Sequence, residues 1–160
     1  MNDVQKELHM TRVFDAPREK VFKAWTDEKQ VAQWWGPQGV FTPICEVDAT
    51  PGGKLHIVME AGEELGDYKG TQWPMEGTFE EVEEPSKLVF VSNAVNDGKE
   101  LFQHRTTVTF DETDGKTTMT VHVAVFKIQP GSEFAIAGME QGWNSQFDKL
   151  GEFIKKGTRE

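Results

Sequence analysis

The chain lacks the features that mark secreted and membrane-inserted proteins. Its single cysteine, Cys45, excludes an internal disulfide framework, because a bridge needs two thiols. No segment approaches the roughly 20 consecutive apolar residues of a membrane span, and the stretch MNDVQKELHM at the N-terminus contains no apolar run typical of a signal or an anchor. These absences predict a cytoplasmic protein without membrane insertion.

Positive charge is also scarce. The 17 lysines and arginines are outnumbered by 27 aspartates and glutamates, which gives a formal net charge of −10. Such a surface repels phosphate backbones, so we do not expect nucleic acid as a partner. With 160 residues and no internal repeat or low-complexity tract, the chain is expected to form one domain that spans residues 1–160.

Known catalytic and metal-binding motifs are missing as well. The sequence contains no phosphate-binding GxxxxGKS loop, no GxSxG nucleophile elbow and no HExxH helix. His9, His56, His104 and His122 show no paired spacing, and one cysteine cannot build a thiolate cluster. We therefore predict no metal site, no cofactor and no catalytic residue set, and expect that the protein is not an enzyme.

The most regular pattern in the chain runs from Ser132 to Lys156. Apolar residues recur there three to five positions apart, as an amphipathic helix requires: Phe134, Met139, Trp143, Phe147, Leu150 and Ile154. Ser132 can cap the start of this helix and Gly157 can end it. At a rise of about 1.5 Å per residue such a helix is long enough to cross a whole small sheet.

Three glycines lie within this predicted helix. Gly138, Gly142 and Gly151 each cost about 1 kcal/mol relative to alanine, which a purely structural helix would avoid. We therefore expect a close approach of the backbones. Gly142 would let the helix backbone come near the sheet or allow a kink.

The remaining pattern is mainly that of strands. Alternation from Leu8 to Phe14 predicts a first strand, two short helices follow within residues 17–35, and about six further strands precede the long helix. This order predicts an α+β fold in which a curved antiparallel sheet of about seven strands surrounds the C-terminal helix.

The last predicted hairpin indicates which side of the sheet each of two histidines faces. Asp114-Gly115 between alternating runs is typical of a two-residue type I′ turn, and it pairs Phe110 with Met119 and His104 with Val125. Because side chains alternate along a strand, His104 should face the interior and His122 the solvent.

Several segments resemble a known family. They are RVFDAPREKVFKAWTDEKQVAQWWGP (residues 12–37), the turn Pro51-Gly52-Gly53, the strand at residues 77–82 and the terminal GWNSQFDKLGEFI (residues 142–154). Together they resemble the bacterial family similar to the activator of the Hsp-ninety chaperone ATPase, in the START-like, SRPBCC superfamily. The resemblance implies a helix-grip fold whose sheet holds the long helix over an internal cavity. Members of that superfamily bind lipids, hormones, polyketides or other apolar small molecules, and some are cyclases or oxygenase subunits.

Eight residues are expected to face this cavity and bind a ligand. They are Trp35, Trp73, Met75, Phe102, His104, Met139, Trp143 and Phe147. Apolar rings with a few polar groups are typical of small-molecule sites, although the same pattern is typical of an ordinary core.

Three functions remain open at this stage. The first is non-catalytic binding of a small hydrophobic or amphipathic molecule between the sheet and the C-terminal helix. The second is a cyclase- or hydrolase-like enzyme with His104 as the base and Arg12 or a tryptophan positioning the substrate. Arg12 would then reach inward toward an anionic ligand group or toward Glu76, or else lie at the sheet edge with its stem on apolar surface. The third is a protein-interaction module, such as a chaperone partner.

Overall fold

A computed structural model describes residues 6–36, 39–96, 99–132 and 136–157. Seven strands form one curved antiparallel sheet in the spatial order β1-β7-β6-β5-β4-β3-β2. The elements in chain order are β1 (Lys6–Phe14), α1 (Arg18–Thr26), α2 (Glu28–Trp34), β2 (Val40–Val47), β3 (Lys54–Ala61), a 3₁₀ helix (Glu63–Tyr68), β4 (Gln72–Glu83), β5 (Lys87–Asn96), β6 (Lys99–Thr113), β7 (Lys116–Phe126) and α3 (Met139–Gly157). The predicted α+β helix-grip fold, with two short helices after the first strand, is confirmed.

The two short helices are separated by one capping residue. Asp27 ends α1 and opens α2, and its carboxylate accepts a hydrogen bond from the backbone N–H of Lys29 at 3.0 Å. The side-chain amide of Gln30 donates to the second Asp27 oxygen at 3.4 Å. A carboxylate at this position satisfies an N–H that has no partner within the helix, which explains the break between the helices.

The β6–β7 hairpin has the predicted register. Asp114 and Gly115 both have positive φ, 54° and 74°, as the two central residues of a type I′ turn require. Phe110 pairs with Met119 and His104 with Val125, as the sequence pattern predicted. His104 is consequently buried on the concave face of the sheet.

The core lies between the concave face of the sheet and the helices. Fully buried side chains come from the helices and from the central strands: Val21, Trp34, Val108, Phe110, Met119, Val121, Phe147 and Leu150. Burying each such side chain contributes about 1.5–3 kcal/mol, so these contacts outweigh the weak helix propensity of α1 and α2. None of the described helices is both long and apolar enough to cross a membrane.

The C-terminal helix starts less regularly than predicted. Residues 136–137 are helical, Gly138 forms a turn, and α3 proper begins at Met139. The backbone N–H of Ile136 donates to the carbonyl oxygen of Ser132 at 3.1 Å, and the Ser132 hydroxyl donates to the carbonyl oxygen of Leu101 at 3.1 Å. Ser132 thus ties the approach to α3 to strand β6. Phe134, the first predicted apolar position, lies outside the described residues.

The expected close approach at Gly142 is wrong. A Cβ atom added at Gly142 would meet no other atom within 4 Å, and one added at Gly151 would lie at an ordinary 3.7 Å from a ring carbon of Phe14. A glycine between two paired strands is tightly packed instead: at Gly77 on β4 an added Cβ would lie 2.5 Å from the carbonyl oxygen of Val91 and 2.8 Å from the Cβ of Ser92. The strands approach each other closely there, whereas α3 faces open space at Gly142.

These contacts predict opposite effects for two glycine-to-alanine changes. Gly142→Ala should raise the free energy of unfolding by about 0.5–1 kcal/mol, because alanine loses less backbone entropy in a helix and meets no obstacle. Gly77→Ala should lower it by about 1–3 kcal/mol through the clash with β5. Urea unfolding at neutral pH measures both. A destabilised Gly142→Ala variant would show that α3 does need a glycine there.

Candidate functional site

The centre of the interior is a cluster of aromatic rings, which we call the aromatic cluster. Trp25 on α1 lies within 6.4 Å, between ring centroids, of five other rings: Trp34, Trp35, Phe90, Trp143 and Phe147. The indole N–H of Trp25 donates to the sulfur of Met119 at 3.2 Å, and that of Trp34 donates to the carbonyl oxygen of Ala24 at 2.9 Å. The polar ends of both indoles are therefore satisfied and their ring orientations fixed.

Two rings of the aromatic cluster come from α3. Trp143 and Phe147 are four residues apart on one face of the helix, with centroids 5.5 Å apart. Trp143 also packs edge-on against Trp35, which follows α2, at 5.7 Å. Trp143 and Phe147, which the helical period of the sequence predicted would face the interior, are therefore the residues through which α3 packs on α1 and on Trp35.

Arg12 fixes α3 to the sheet from the β1 edge. Its guanidinium donates to the Asp148 carboxylate at 2.8 Å and to the backbone carbonyl oxygen of Asn144 at 3.1 Å. The same group lies over the ring of Phe147, 5.9 Å from its centroid. Arg12 thus bonds the helix, and not Glu76, which is exposed.

A second attachment joins α3 to the segment after α2. The side-chain oxygen of Gln146 accepts from the backbone N–H of Gly36 at 2.8 Å. The Lys149 ammonium donates to the carbonyl oxygens of Gly36 at 3.0 Å and Val40 at 3.3 Å, and burial lowers the pKa of this lysine. Both attachments lie between residues 144 and 149 of α3.

The N-terminal part of α3 is held differently. Among the residues that the structure describes, the side chains of residues 139–143 make no hydrogen bond to another element, and Trp143 packs there through its rings alone. Met139 is partly buried against the core. The middle of the helix is therefore fixed by directional bonds, whereas its first five residues are held by apolar contact.

The concave face carries one buried imidazole. His104 is 6% exposed, and its ring nitrogens lie 3.3 Å from the Ser92 hydroxyl and 3.4 Å from the Thr106 hydroxyl. Burial lowers the pKa of His104 from 6.5 to about 4, so the ring is neutral at neutral pH. Phe102 lies beside it, with ring centroids 5.9 Å apart. His104 is a hydrogen-bonding group in an otherwise apolar surface.

The eight predicted ligand-binding residues are only partly brought together. Five of them lie in one continuous buried core, namely Trp35, Met75, Phe102, Trp143 and Phe147. Met139 packs against that core and His104 adjoins it through Phe102. Trp73 is partly exposed and lies opposite Met59 near the end of β3.

The sequence analysis missed three residues of the interior. Trp25 joins the aromatic cluster because it shares a helix face with Val21, and that spacing is visible in the sequence. Phe90 and Ser92 lie on the concave face with Leu88, as alternation along β5 indicates. Their contacts with Trp25 and His104, however, join elements distant in sequence and follow only from the packing.

Free space between Trp25, Trp35 and Phe90 is small. One cavity of about 20 Å³ is lined by apolar side chains: Trp25, Val31, Trp35, Val47, Leu55, Ile57, Phe79 and Phe90. A volume of this size holds about one water molecule, so a larger guest there requires movement of the surrounding side chains or helices.

The lone cysteine is not placed for nucleophilic chemistry. Burial, with a smaller contribution from Glu28, raises the pKa of the Cys45 thiol to about 11. Because the thiolate is the reactive form, the thiol stays unreactive at neutral pH.

Comparison with known proteins identifies similar proteins at the level of family and fold. The family model described as "Activator of Hsp90 ATPase homolog 1-like protein" matches residues 15–155. No curated protein matches the chain significantly in sequence.

Solved structures from several bacteria share the fold over nearly the whole chain. A protein from Nitrosomonas europaea is 23% identical with a TM-score of 0.79, and 99% of each chain is covered. The AHSA1 protein from Silicibacter pomeroyi is 22% identical with a TM-score of 0.78, covering 95% of this chain and 99% of that one. A solution structure from Arthrobacter aurescens is 23% identical with a TM-score of 0.79, covering 98% and 90%.

The neutral state of His104 predicts a dependence of stability on pH. Between about pH 6.5 and pH 4 the unfolded chain binds a proton that the folded His104 does not, so stability is lost as the pH falls through this window. The loss attributable to His104 should approach about 3 kcal/mol at the acidic end. Urea unfolding of the wild type and of His104→Gln across this range measures it.

The comparison between variants isolates this histidine from carboxylates that titrate in the same range. His104→Gln should show a shallower pH dependence than the wild type, because both proteins keep the same carboxylates. Equal slopes for the wild type and His104→Gln would show that His104 ionises normally in the folded protein.

Proposed function

This chain belongs to the family of activator of Hsp90 ATPase homolog 1-like proteins, and from that premise we propose that it binds one small apolar or amphipathic molecule between the sheet and α3, without catalysis. The observation that carries the proposal is the asymmetric attachment of α3 over an aromatic interior. Ligand-binding sites of proteins are mostly apolar, with a few polar groups that orient the guest. We place the binding event in the cytosol, in keeping with the single free cysteine.

The location follows from how the first and middle parts of α3 are attached. Arg12, Gln146 and Lys149 hold residues 144–149 of α3 through hydrogen bonds. Residues 139–143 rest on the interior through apolar contact, and a displacement there breaks no hydrogen bond between a side chain of these residues and another described element. A guest therefore gains access most easily beneath Met139 and Trp143.

The concave face of the sheet suits an amphipathic guest. Met75, Phe102 and the aromatic cluster supply apolar contact. His104, Ser92 and Thr106 form a small polar group that can donate or accept a hydrogen bond. Trp73 and Met139 are both partly exposed and supply adaptable apolar surface at the periphery.

His104 is better suited to orienting a ligand than to acting as a base. A base is most effective when its pKa lies near the working pH, and the pKa of His104 is lowered to about 4. Its hydrogen-bond partners among the described residues are hydroxyl groups, which do not raise its basicity as a carboxylate would. These features favour binding over a cyclase- or hydrolase-like reaction.

A ligand panel tests the proposal. Titration with a fatty acid, a sterol, a flavonoid and a polyketide should give a saturable change in tryptophan emission for at least one compound, because four of the five tryptophans lie in the aromatic cluster. His104→Phe should weaken that binding by about tenfold or more, since it removes the orienting group and fills space, and tenfold corresponds to about 1.4 kcal/mol.

The same substitution on the outer face supplies the control. His122→Phe changes a histidine on the convex side of the adjacent strand and should leave the affinity unchanged. No saturable response to any compound, or equal effects of the two variants, would contradict an interior binding site.

The family description also points to a second candidate, a protein-interaction module. The observation that favours it is exposed apolar surface on β2, one of the two edge strands of the sheet, where Phe41 is 48% and Ile44 is 42% exposed. Edge strands with exposed apolar side chains are common docking surfaces for partner chains.

Interaction with an Hsp90 chaperone can be measured directly. If β2 binds the chaperone, the chain should raise its ATPase rate, and the double change Phe41→Ser with Ile44→Ser should abolish that increase. Val13→Ser is the matched control, because Val13 is 62% exposed on the opposite edge strand, β1. An unchanged ATPase rate with the wild-type chain would exclude stimulation of the chaperone by this chain.

A further inference from the structure

Two histidines and a carboxylate meet on the convex face of the sheet. Glu7 and His9 are two residues apart on β1 and therefore share one face, and His122 on β7 lies directly opposite His9. The two imidazole rings are 4.5 Å apart between centroids, tilted by 30°. Glu7 Oε1 lies 2.7 Å from Nε2 of His122.

We propose that Glu7, His9 and His122 form a surface site for a first-row divalent cation, with Zn²⁺ as the best fit. One ligand atom from each residue can be chosen so that all three lie within 4.8 Å of one another. Two ligands on one tetrahedral Zn²⁺ ion, each about 2.0–2.1 Å from the metal, are about 3.3 Å apart. Small side-chain rotations, without movement of the strands, would bring the ligand atoms from within 4.8 Å of one another to the spacing of about 3.3 Å that Zn²⁺ requires.

The donor set selects the class of cation. Two imidazoles and one carboxylate suit Zn²⁺, Ni²⁺ and Cu²⁺, whereas Mg²⁺ and Ca²⁺ require mainly oxygen ligands. Three protein ligands leave a fourth position for water or for a group from another molecule. The excess of acidic residues in the chain also favours the approach of a cation.

The site is independent of the proposed ligand-binding region. His122 alternates along β7 with Val121 and Val123, whose side chains are buried on the concave face, so the two sites lie on opposite sides of the sheet. Sequence spacing cannot reveal the cluster, because Glu7 and His122 are 115 positions apart and meet only through the β1–β7 register.

Isothermal titration calorimetry of the chain without a histidine tag tests the site. Zn²⁺ should bind with a stoichiometry of one, and Mg²⁺ should not bind. Partners that only orient metal ligands typically contribute about 10–100-fold to affinity, so the loss of a direct ligand in His9→Gln or His122→Gln should weaken Zn²⁺ binding by at least about tenfold. Glu7→Gln should also weaken it.

The control for the Zn²⁺ titration removes another partly exposed histidine that lies beside a carboxylate. His56 is partly exposed on β3 and pairs with the Glu46 carboxylate at 3.1 Å, but has no second imidazole in a metal-binding group of the described residues. His56→Gln should therefore bind Zn²⁺ like the wild type.

NMR spectroscopy of the wild-type protein tests the same site without requiring that any variant fold. Zn²⁺ should shift the imidazole NMR signals of His9 and His122 together at one equivalent and leave those of His56 and His104 in place. Absence of saturable Zn²⁺ binding, wild-type affinity in both His9→Gln and His122→Gln, or imidazole shifts confined to other histidines would each overturn the proposal.

Discussion

The antiparallel register of the strands is the constraint on which the rest of the structure depends. Because side chains alternate strictly along a strand, one pairing decides which residues face α3 and which face solvent. The β6–β7 register places His104 inside and His122 outside, and the β1–β7 register then sets His9 opposite His122 and Arg12 opposite Met119. A shift by one residue would expose the apolar face and bury the histidine pair.

The attachment of α3 follows from this register. Arg12 shares the concave face of β1 with Leu8 and Met10, which places its guanidinium within reach of Asp148 and of the Asn144 carbonyl oxygen. The surrounding apolar contacts hold the helix on the core, since burial of large side chains contributes more than a partly exposed ion pair. The polar bonds fix the position of the helix along the sheet, because only one placement satisfies them.

Much of the fold could be predicted from the sequence, because its signals are local. Alternation, the Asp114-Gly115 turn and the helical period of residues 139–154 each depend on neighbours in the chain, and the sheet, the short helices and the inward orientation of His104 were confirmed. The contacts of the candidate site are not local. The packing around Trp25, the bonding of Arg12 to α3 and the open space at Gly142 depend on how distant elements pack.

A buried histidine whose pKa is lowered by burial is hard to explain as core packing alone. An apolar side chain at position 104 would remove the need for hydrogen bonds with Ser92 and Thr106, and replacing matched buried polar groups by apolar ones is often neutral or stabilising. The chain instead keeps three buried polar side chains together on the concave face, while residues 139–143 of α3 pack on the interior through apolar contact. Polarity on the concave face and a helix end held by apolar contact are both features that small-molecule sites share, which is why the proposal of interior binding rests on them.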